Sequence, residues 1–350
     1  MDSGAKGQPK LKMGERDATR LCADLAAGQS VAGGRYSVRT KRLVDFRNKP
    51  GQYLSLVLGD RTGDVQARVW DNVETLAAGF EEGDVIAITG RVETYQDKVQ
   101  VIITDIVKCP PEEVRREDFL PKSERDPDEM MGELIGICKS VSHTGLRKLL
   151  AAFFTNEEFV AQFKVCPAAM RRHHAYLGGL LEHTLNVAKI CDNVCLIYPQ
   201  LDRNLLIAGA LLHDIGKIRE YAYDTSIGIT DEGEFIGHIA IGYRMVSDAM
   251  ESIPELTGKA RLEIGHLVIA HHGQLEFGAP KTPATLETFA LHHAENLDAK
   301  VNEALMAVAA ERGKGKAWSD YKPEFKRRLF IGEGGEEAMT DEADEGRENE

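Results

Sequence analysis

The feature that most constrains this chain is the run Ala208-Gly-Ala-Leu-Leu-His213-Asp214-Ile-Gly-Lys217, where an apolar helix ends in two adjacent ionisable side chains. An apolar helix is buried, and a charge buried with it costs several kcal/mol unless it is paired or bound to a cation. A metal site is therefore the first expectation. Two other polar residues stand on apolar stripes. His183 lies among Tyr176, Leu180, Val187, Ile190 and Val194, and Asp298 among Leu291, Ala294, Val301 and Leu305, each at alternating steps of three and four. Both are expected to point into one interior and to share a ligand.

His238 and the pair His271-His272 lie between the doublet and Asp298. The resulting order, His then His-Asp then His then His-His then Asp, resembles the HD superfamily of metal-dependent phosphohydrolases. That resemblance implies that His183, His213, Asp214 and Asp298 hold one metal, and that His238, His271 and His272 are the added ligands of two-metal members. The run Pro167-Ala-Ala-Met-Arg-Arg-His173-His174-Ala-Tyr-Leu-Gly-Gly-Leu-Leu-Glu-His183-Thr resembles the entry helix of the YhaM-type 3′-to-5′ exoribonucleases, which carry an OB-fold ahead of the HD domain. In that pattern His174 and Arg171 are expected to grip the terminal phosphate or ribose. No Gly-Tyr-Pro follows His271-His272, and Gly242-Tyr243 runs into Arg244, so the cyclic-dinucleotide branch is disfavoured.

The chemistry follows from the residue types. Asp214 has two oxygens and bridges two cations, which an imidazole cannot do. Imidazole and carboxylate ligands without thiolate suit Mn2+, with Fe2+, Co2+ or Zn2+ as alternatives, and two ions are expected. Lys217, four residues beyond His213, is placed to reach a non-bridging phosphate oxygen. Asp214 and Lys217 are the residues assigned to catalysis.

Ahead of this region, over residues 31–109, the period changes from that of helices to that of strands. Leu54, Leu56 and Leu58 alternate with Tyr53, Ser55 and Val57, and turn chemistry at 60–64 precedes Val65, Ala67 and Val69. With 85–89, 91–95 and 99–103 this makes five short strands, a layout that resembles the OB-fold. The segment 35–49 holds six cations (Arg35, Arg39, Lys41, Arg42, Arg47, Lys49) against Asp45. Arg39, Lys41 and Arg42 are the expected phosphate contacts, with Tyr36, Phe46, Tyr53, Trp70 and Tyr95 as rings available to stack bases.

An overall charge of −13 argues against nucleic acid at first sight, but residues 333–350 carry −8 of it and leave the rest at −5. That acidic end reads as a disordered tail. No stretch approaches the about 18 apolar residues of a membrane span, and the first twenty residues lack a secretory core. Six cysteines without a CxxC fit a reducing cytoplasm. The expected architecture is multi-domain α and β. Residues 1–28 form a mobile arm, 29–110 an OB-fold nucleic-acid-binding domain, 111–127 a linker, 128–331 an all-α HD domain and 332–350 the tail. The expected function is metal-dependent 3′-to-5′ hydrolysis of single-stranded RNA to nucleoside 5′-monophosphates, with a small-nucleotide phosphohydrolase or a single-stranded DNA exonuclease as alternatives. Expected partners are single-stranded RNA, with DNA as alternative, and a second copy in a homo-oligomer, with no membrane.

Overall fold

The computed structural model describes residues 20–332 apart from Asp97 and Arg171, so the expectations placed on residues 1–19 and 333–350 and on Arg171 lie outside the described residues. Five strands close into a barrel: β1 (Ser30–Asp45), β2 (Gln52–Asp60), β3 (Gly63–Val69), β4 (Val85–Tyr95) and β5 (Lys98–Lys108), in the order β1-β2-β3-β5-β4. Alternation decides the inside. Leu54, Leu56, Leu58, Ala67, Ile86, Ile88 and Val101 are all fully buried. Because β1 is long enough to pair with β4 and then with β2, it must bend, and it does so at irregularities between Ala32 and Gly34 and between Val38 and Thr40. Closure depends on β3 pairing parallel with β5. Gly90 sits where the β4–β5 register shifts, and a Cβ there would lie 2.3 Å from the Ile102 carbonyl oxygen.

Residues 20–28, expected to belong to the arm, are part of this barrel instead. Leu25 enters its core, Cys22 N–H donates to Asp60 Oδ2 at 2.6 Å, and the buried Tyr36 hydroxyl donates to the Arg20 carbonyl at 2.7 Å. A short helix α1 (Val73–Ala77) joins β3 to β4.

The second half packs α2 (Pro127–Ser140), α3 (Thr144–Phe154), α4 (Glu157–Phe163), α5 (Gly179–Ile197), α6 (Arg203–Leu212), α7 (Lys217–Glu220), α8 (Asp231–Ile236), α9 (His238–Glu251), α10 (Gly258–Ala270) and α11 (Leu286–Ala309). Capping sets where several begin: Asp126 accepts from Asp128 and Glu129 N–H with Pro127 in the first turn, and Asp202 caps α6 in the same way. Because α6 is apolar on every side, it lies at the centre, against α3, α5, α10 and α11, with Leu205 to Leu212 all buried. A hairpin of β6 (Tyr221–Tyr223) and β7 (Ile227–Ile229) interrupts the helices. Its turn meets the barrel, where Arg39 donates to the Thr225 and Phe119 carbonyls and Arg116 pairs with Asp224 at 3.2 Å. Among the described residues no helix is long and apolar enough to cross a membrane.

The stripe expected on α11 is only half buried. Leu291 and Ala294 are in the core, whereas Val301 and Leu305 are exposed, because beyond Asp298 the buried face of α11 passes through Ala299 and Glu303 instead. On α5 the stripe is deep at Leu180, His183 and Val187 and shallower at Ile190 and Val194, and Tyr176 lies in the loop before the helix.

Candidate metal centre

Three helices converge on the end of α6. The chain leaves that helix in a turn at His213–Gly216, and Gly216 packs directly on the first turn of α9: a Cβ there would lie 2.1 Å from the His238 carbonyl oxygen. That close approach, which only glycine permits, carries His238 to Asp214. His183 arrives from the first turns of α5, His271 and His272 from the end of α10. His183, His213 and His271 are fully buried and Asp214 nearly so.

The two oxygens of Asp214 face two different groups. Oδ2 lies 2.6 Å from Lys217 Nζ, 3.3 Å from His213 Nε2 and 3.5 Å from His183 Nε2. Oδ1 lies 3.5 Å from His271 Nε2 and 3.6 Å from His238 Nε2. Donor atoms of His183, His213 and Asp214 fall within 4.8 Å of one another, as do those of Asp214, His238, His271 and His272.

Hydrogen bonds on the far side of each ring decide where the protons are. His213, His271 and His272 each present Nδ1 to a backbone carbonyl, of Ala210 at 2.8 Å, Val268 at 2.7 Å and Phe277 at 2.7 Å. A carbonyl only accepts, so Nδ1 carries the hydrogen and a neutral ring keeps a bare lone pair on Nε2. His183 Nδ1 donates to Asp298 Oδ2 at 2.7 Å and His238 Nδ1 to Glu220 Oε1 at 3.0 Å. The Nε2 lone pairs of His183, His238 and His271 are thereby turned on one carboxylate, with His213 Nε2 beside its Oδ2. Burial keeps His271 and His272 neutral at physiological pH by pulling them down to about 4 and about 3, and it outweighs the Asp298 hydrogen bond at His183, which falls to about 3.

Lone pairs facing a carboxylate oxygen make no hydrogen bond. Asp214 Oδ1, His238 Nε2 and His271 Nε2 are indeed buried without a partner, and a buried unpaired polar atom costs about 1–3 kcal/mol. A cation held between them removes that cost, so the residues present fit a metal, with the outer carboxylates and carbonyls fixing ring tautomer and direction. Asp214 stays ionised despite burial because the Lys217 ammonium and His213 hold it well below the usual carboxylate range. Lys217 is raised in turn by Asp214 against the opposite pull of burial, and at His213 the same carboxylate outweighs burial and raises the imidazole.

Asp298 stands one layer further out than the resemblance implies. Its Oδ2 accepts from His183 Nδ1 and from His174 Nε2, both at 2.7 Å, and its Oδ1 accepts from Asn186 at 3.0 Å. His174, expected to meet substrate, is fully buried in this same network, with Nδ1 2.8 Å from the Tyr176 hydroxyl; no surface of it is left for a ribose or phosphate. Lys217 was expected one turn along from His213 on a continuous helix. The turn at 213–216 breaks that helix, and the ammonium reaches Asp214.

The expected phosphate contacts divide in the same way. Arg39 is spent on the Thr225 and Phe119 carbonyls and on Asp64, and Lys41 on the Phe80 carbonyl and Glu81, so both stitch the structure together and are corrected to that role. Arg42 is exposed on β1. Two site residues escape sequence reading. Glu220 follows Lys217 in the run Lys-Ile-Arg-Glu, outside the order of histidines and aspartates that marks the ligands. Glu295 lies one turn before Asp298, and its carboxyl is pushed up to about 7 by burial and by the charge of Asp214. The spacing to Asp298 was the one available signal.

The comparisons with known proteins agree with this geometry. An HD domain matches residues 180–300, and an OB-fold nucleic acid binding domain matches residues 37–108. The protein named 3′-5′ exoribonuclease YhaM of Bacillus subtilis (strain 168) is 31% identical over 79% of this chain and 90% of its own length. The protein of that name from Shouchella clausii (strain KSM-K16) is 30% identical over 86% of this chain and 96% of its own. Among solved structures, the second OB-fold domain of replication protein A from Methanococcus maripaludis aligns over 25% of this chain at 20% identity and a TM-score of 0.21, too slight a likeness to add to the fold. At this identity and coverage the chain belongs to the YhaM family of 3′-5′ exoribonucleases.

Proposed function

We propose that this protein is a metal-dependent 3′-to-5′ exoribonuclease that shortens single-stranded RNA and releases nucleoside 5′-monophosphates. The relatives' name supports RNA and the direction. The observation that carries the chemistry is the ring of imidazole Nε2 atoms around the two oxygens of Asp214. His183, His213 and Asp214 would hold one divalent cation and Asp214, His238, His271 and His272 a second, with Mn2+ the first choice for this donor set. When bound, such a pair supplies an acidified water and neutralises charge on the phosphoryl oxygens.

The chain's own residues do the rest. Asp298 and Glu220 hold the Nδ1 protons of His183 and His238 and so keep both rings aimed. Lys217 keeps one N–H on Asp214 and has others for a non-bridging phosphate oxygen. The oxygens of Asp298 are taken up by His174, His183 and Asn186, and Glu295, one turn earlier on α11, feels the charge of Asp214. Water oxygen bonds to the terminal phosphorus, the bond from phosphorus to the 3′ oxygen of the preceding nucleotide breaks, and that oxygen takes the proton. Six free cysteines, four of them buried, fit work in a reducing cytoplasm.

The test is digestion of a 5′-labelled single-stranded RNA and its DNA twin after chelation, with Mn2+ restored and Asp214→Asn in parallel. A ladder shortening from the 3′ end, dependent on metal and absent in the variant, is expected for RNA. Both polymers left intact while small nucleotides are hydrolysed would overturn the exonuclease reading and keep the metal centre.

A further inference from the structure

The loop that leads into α5 is bent at an uncommon backbone position. His174 lies at φ +52°, in the left-handed region, where a residue other than glycine persists only if its surroundings over-determine it. They do so here. The His174 N–H donates to Asn302 Oδ1 at 2.9 Å, and its carbonyl accepts from Ala168 N–H at 3.1 Å and from Tyr176 N–H at 2.9 Å. Gly179 packs on the same carbonyl so closely that a Cβ there would lie 2.0 Å from its oxygen.

The bend sends two neighbouring rings to different places. His174 is turned inward onto Asp298 and Tyr176, whereas His173 is half-buried beside the metal centre, its ring centroid 6.0 Å from that of His183. Among the described residues every side-chain hydrogen bond of this pair of rings belongs to His174. Burial and then the Lys217 ammonium pull His173 down to about 4, against the opposite pull of Asp214 and Asp298. The groups that act on it are those of the centre, and the ring they leave is neutral, with one N–H and one lone pair.

What suits such a ring follows from what lies beside it. The scissile phosphate belongs at Asp214 and Lys217, where charge can meet charge. The next polar groups along the terminal nucleotide are its ribose hydroxyls, each at once a donor and an acceptor, the same two roles a neutral imidazole offers.

We propose that His173 hydrogen-bonds the 2′-hydroxyl of the 3′-terminal ribose, and that this contact sets RNA above DNA at the point of cleavage. A deoxyribose presents only C–H there and leaves the ring unpaired; the 2′-hydroxyl is the group by which a site tells the two polymers apart. The inference rests on the exonuclease reading, which makes the product a nucleoside 5′-monophosphate, and it adds the residue that recognises the sugar. The part expected of His174 passes to its neighbour, because His174 is the residue that holds the bend.

The product reads this contact without turnover. The full chain loaded with Mn2+ is titrated by calorimetry with uridine 5′-monophosphate and with 2′-deoxyuridine 5′-monophosphate. The wild type is expected to bind the ribonucleotide about tenfold more tightly, the worth of one hydrogen bond. His173→Ala is expected to lose that difference by weakening the ribonucleotide alone, with deoxynucleotide affinity, bound Mn2+ and melting temperature unchanged. His173→Gln, whose amide again donates and accepts, is expected to recover part of the preference. Equal binding of the two products by the wild type, binding of neither, or a His173→Ala variant that weakens both alike or changes neither would overturn the contact. A ladder in the digestion experiment would then still uphold the enzyme, and only RNA left uncut would remove that reading.

Discussion

The metal centre and the barrel face use polar side chains in opposite ways. At the centre Asp214, His183, His213 and His271 are almost wholly buried, and each ring has a partner on its outer side that fixes its proton. On the barrel face Trp70 is half open and Lys49, Arg42 and Arg47 are left to solvent. Burial forces every donor and acceptor to be accounted for, so the centre is rigid and its unsatisfied atoms are informative. Exposure imposes no such accounting, and there the informative residues are those that stay unpaired while their neighbours pair.

The largest effect separating the two regions belongs to Asp214→Asn. Replacing one charged oxygen by an amide takes a shared ligand from both halves of the centre, and turnover should fall about a thousandfold or more, about 4 kcal/mol of barrier, with oligouridine binding at the barrel retained. Steady-state kinetics beside anisotropy check it; parallel loss of both would erase the distinction.

Acid should strike the centre next. Below the ordinary imidazole value of 6.5 the unfolded chain takes up protons that His183, His271 and His272, pulled down to between about 3 and about 4 by burial, refuse. More protons on the unfolded side means stability falls as pH drops from 6.5 toward 4, and above 6.5 the three contribute nothing. Each adds a slope of about 1.4 kcal/mol per pH unit, whereas His213, whose shift is upward, adds none below 6.5 and loses its stabilisation only as pH rises above it. Calorimetry of the chelated protein across that range reads it, and a flat profile would contradict the burial argument.

Glu220→Gln should cost metal affinity about tenfold to a hundredfold, because His238 loses the charged acceptor that fixes its Nδ1 proton. Titration with Mn2+ measures this, and saturating metal should restore much of the rate. The smallest effects distinguish the barrel's two kinds of cation. Among the described residues Arg42 and Arg68 have no carboxylate partner, unlike Arg35, Arg39, Lys41, Arg91 and Lys108. Arg42→Ala and Arg68→Ala should each lower the slope of log affinity against log salt by about 0.7, the worth of one single-strand phosphate contact, with melting unchanged. Arg39→Ala should instead lower the melting temperature and leave the slope alone, since its guanidinium is held by Thr225 and Phe119.

Legibility in the sequence follows the same division. His183, His213 and Asp214 stood out because a polar residue on an apolar stripe has few explanations. The strands stood out because Leu54, Leu56 and Leu58 alternate with a period of two. Glu220 was hidden because its role depends on a helix that begins eighteen residues later, and the direction of Asp298 because two histidines compete for one oxygen. Arg39 and Lys41 misled, since a cation in a strand shows its charge in the sequence but not the carbonyl it will meet across the fold. Phe46, Tyr53 and Trp70, whose rings pack together on the barrel, could be named but not assembled, because their meeting requires the closed barrel.

The central claim is that Asp214 joins two metal-binding halves, and counting metal tests it most directly. Protein stripped by chelation, equilibrated with excess Mn2+ and freed of unbound ion should carry two ions per chain by elemental analysis, with the count falling in Asp214→Asn. A single ion in the wild type, or two in both proteins, would contradict the account.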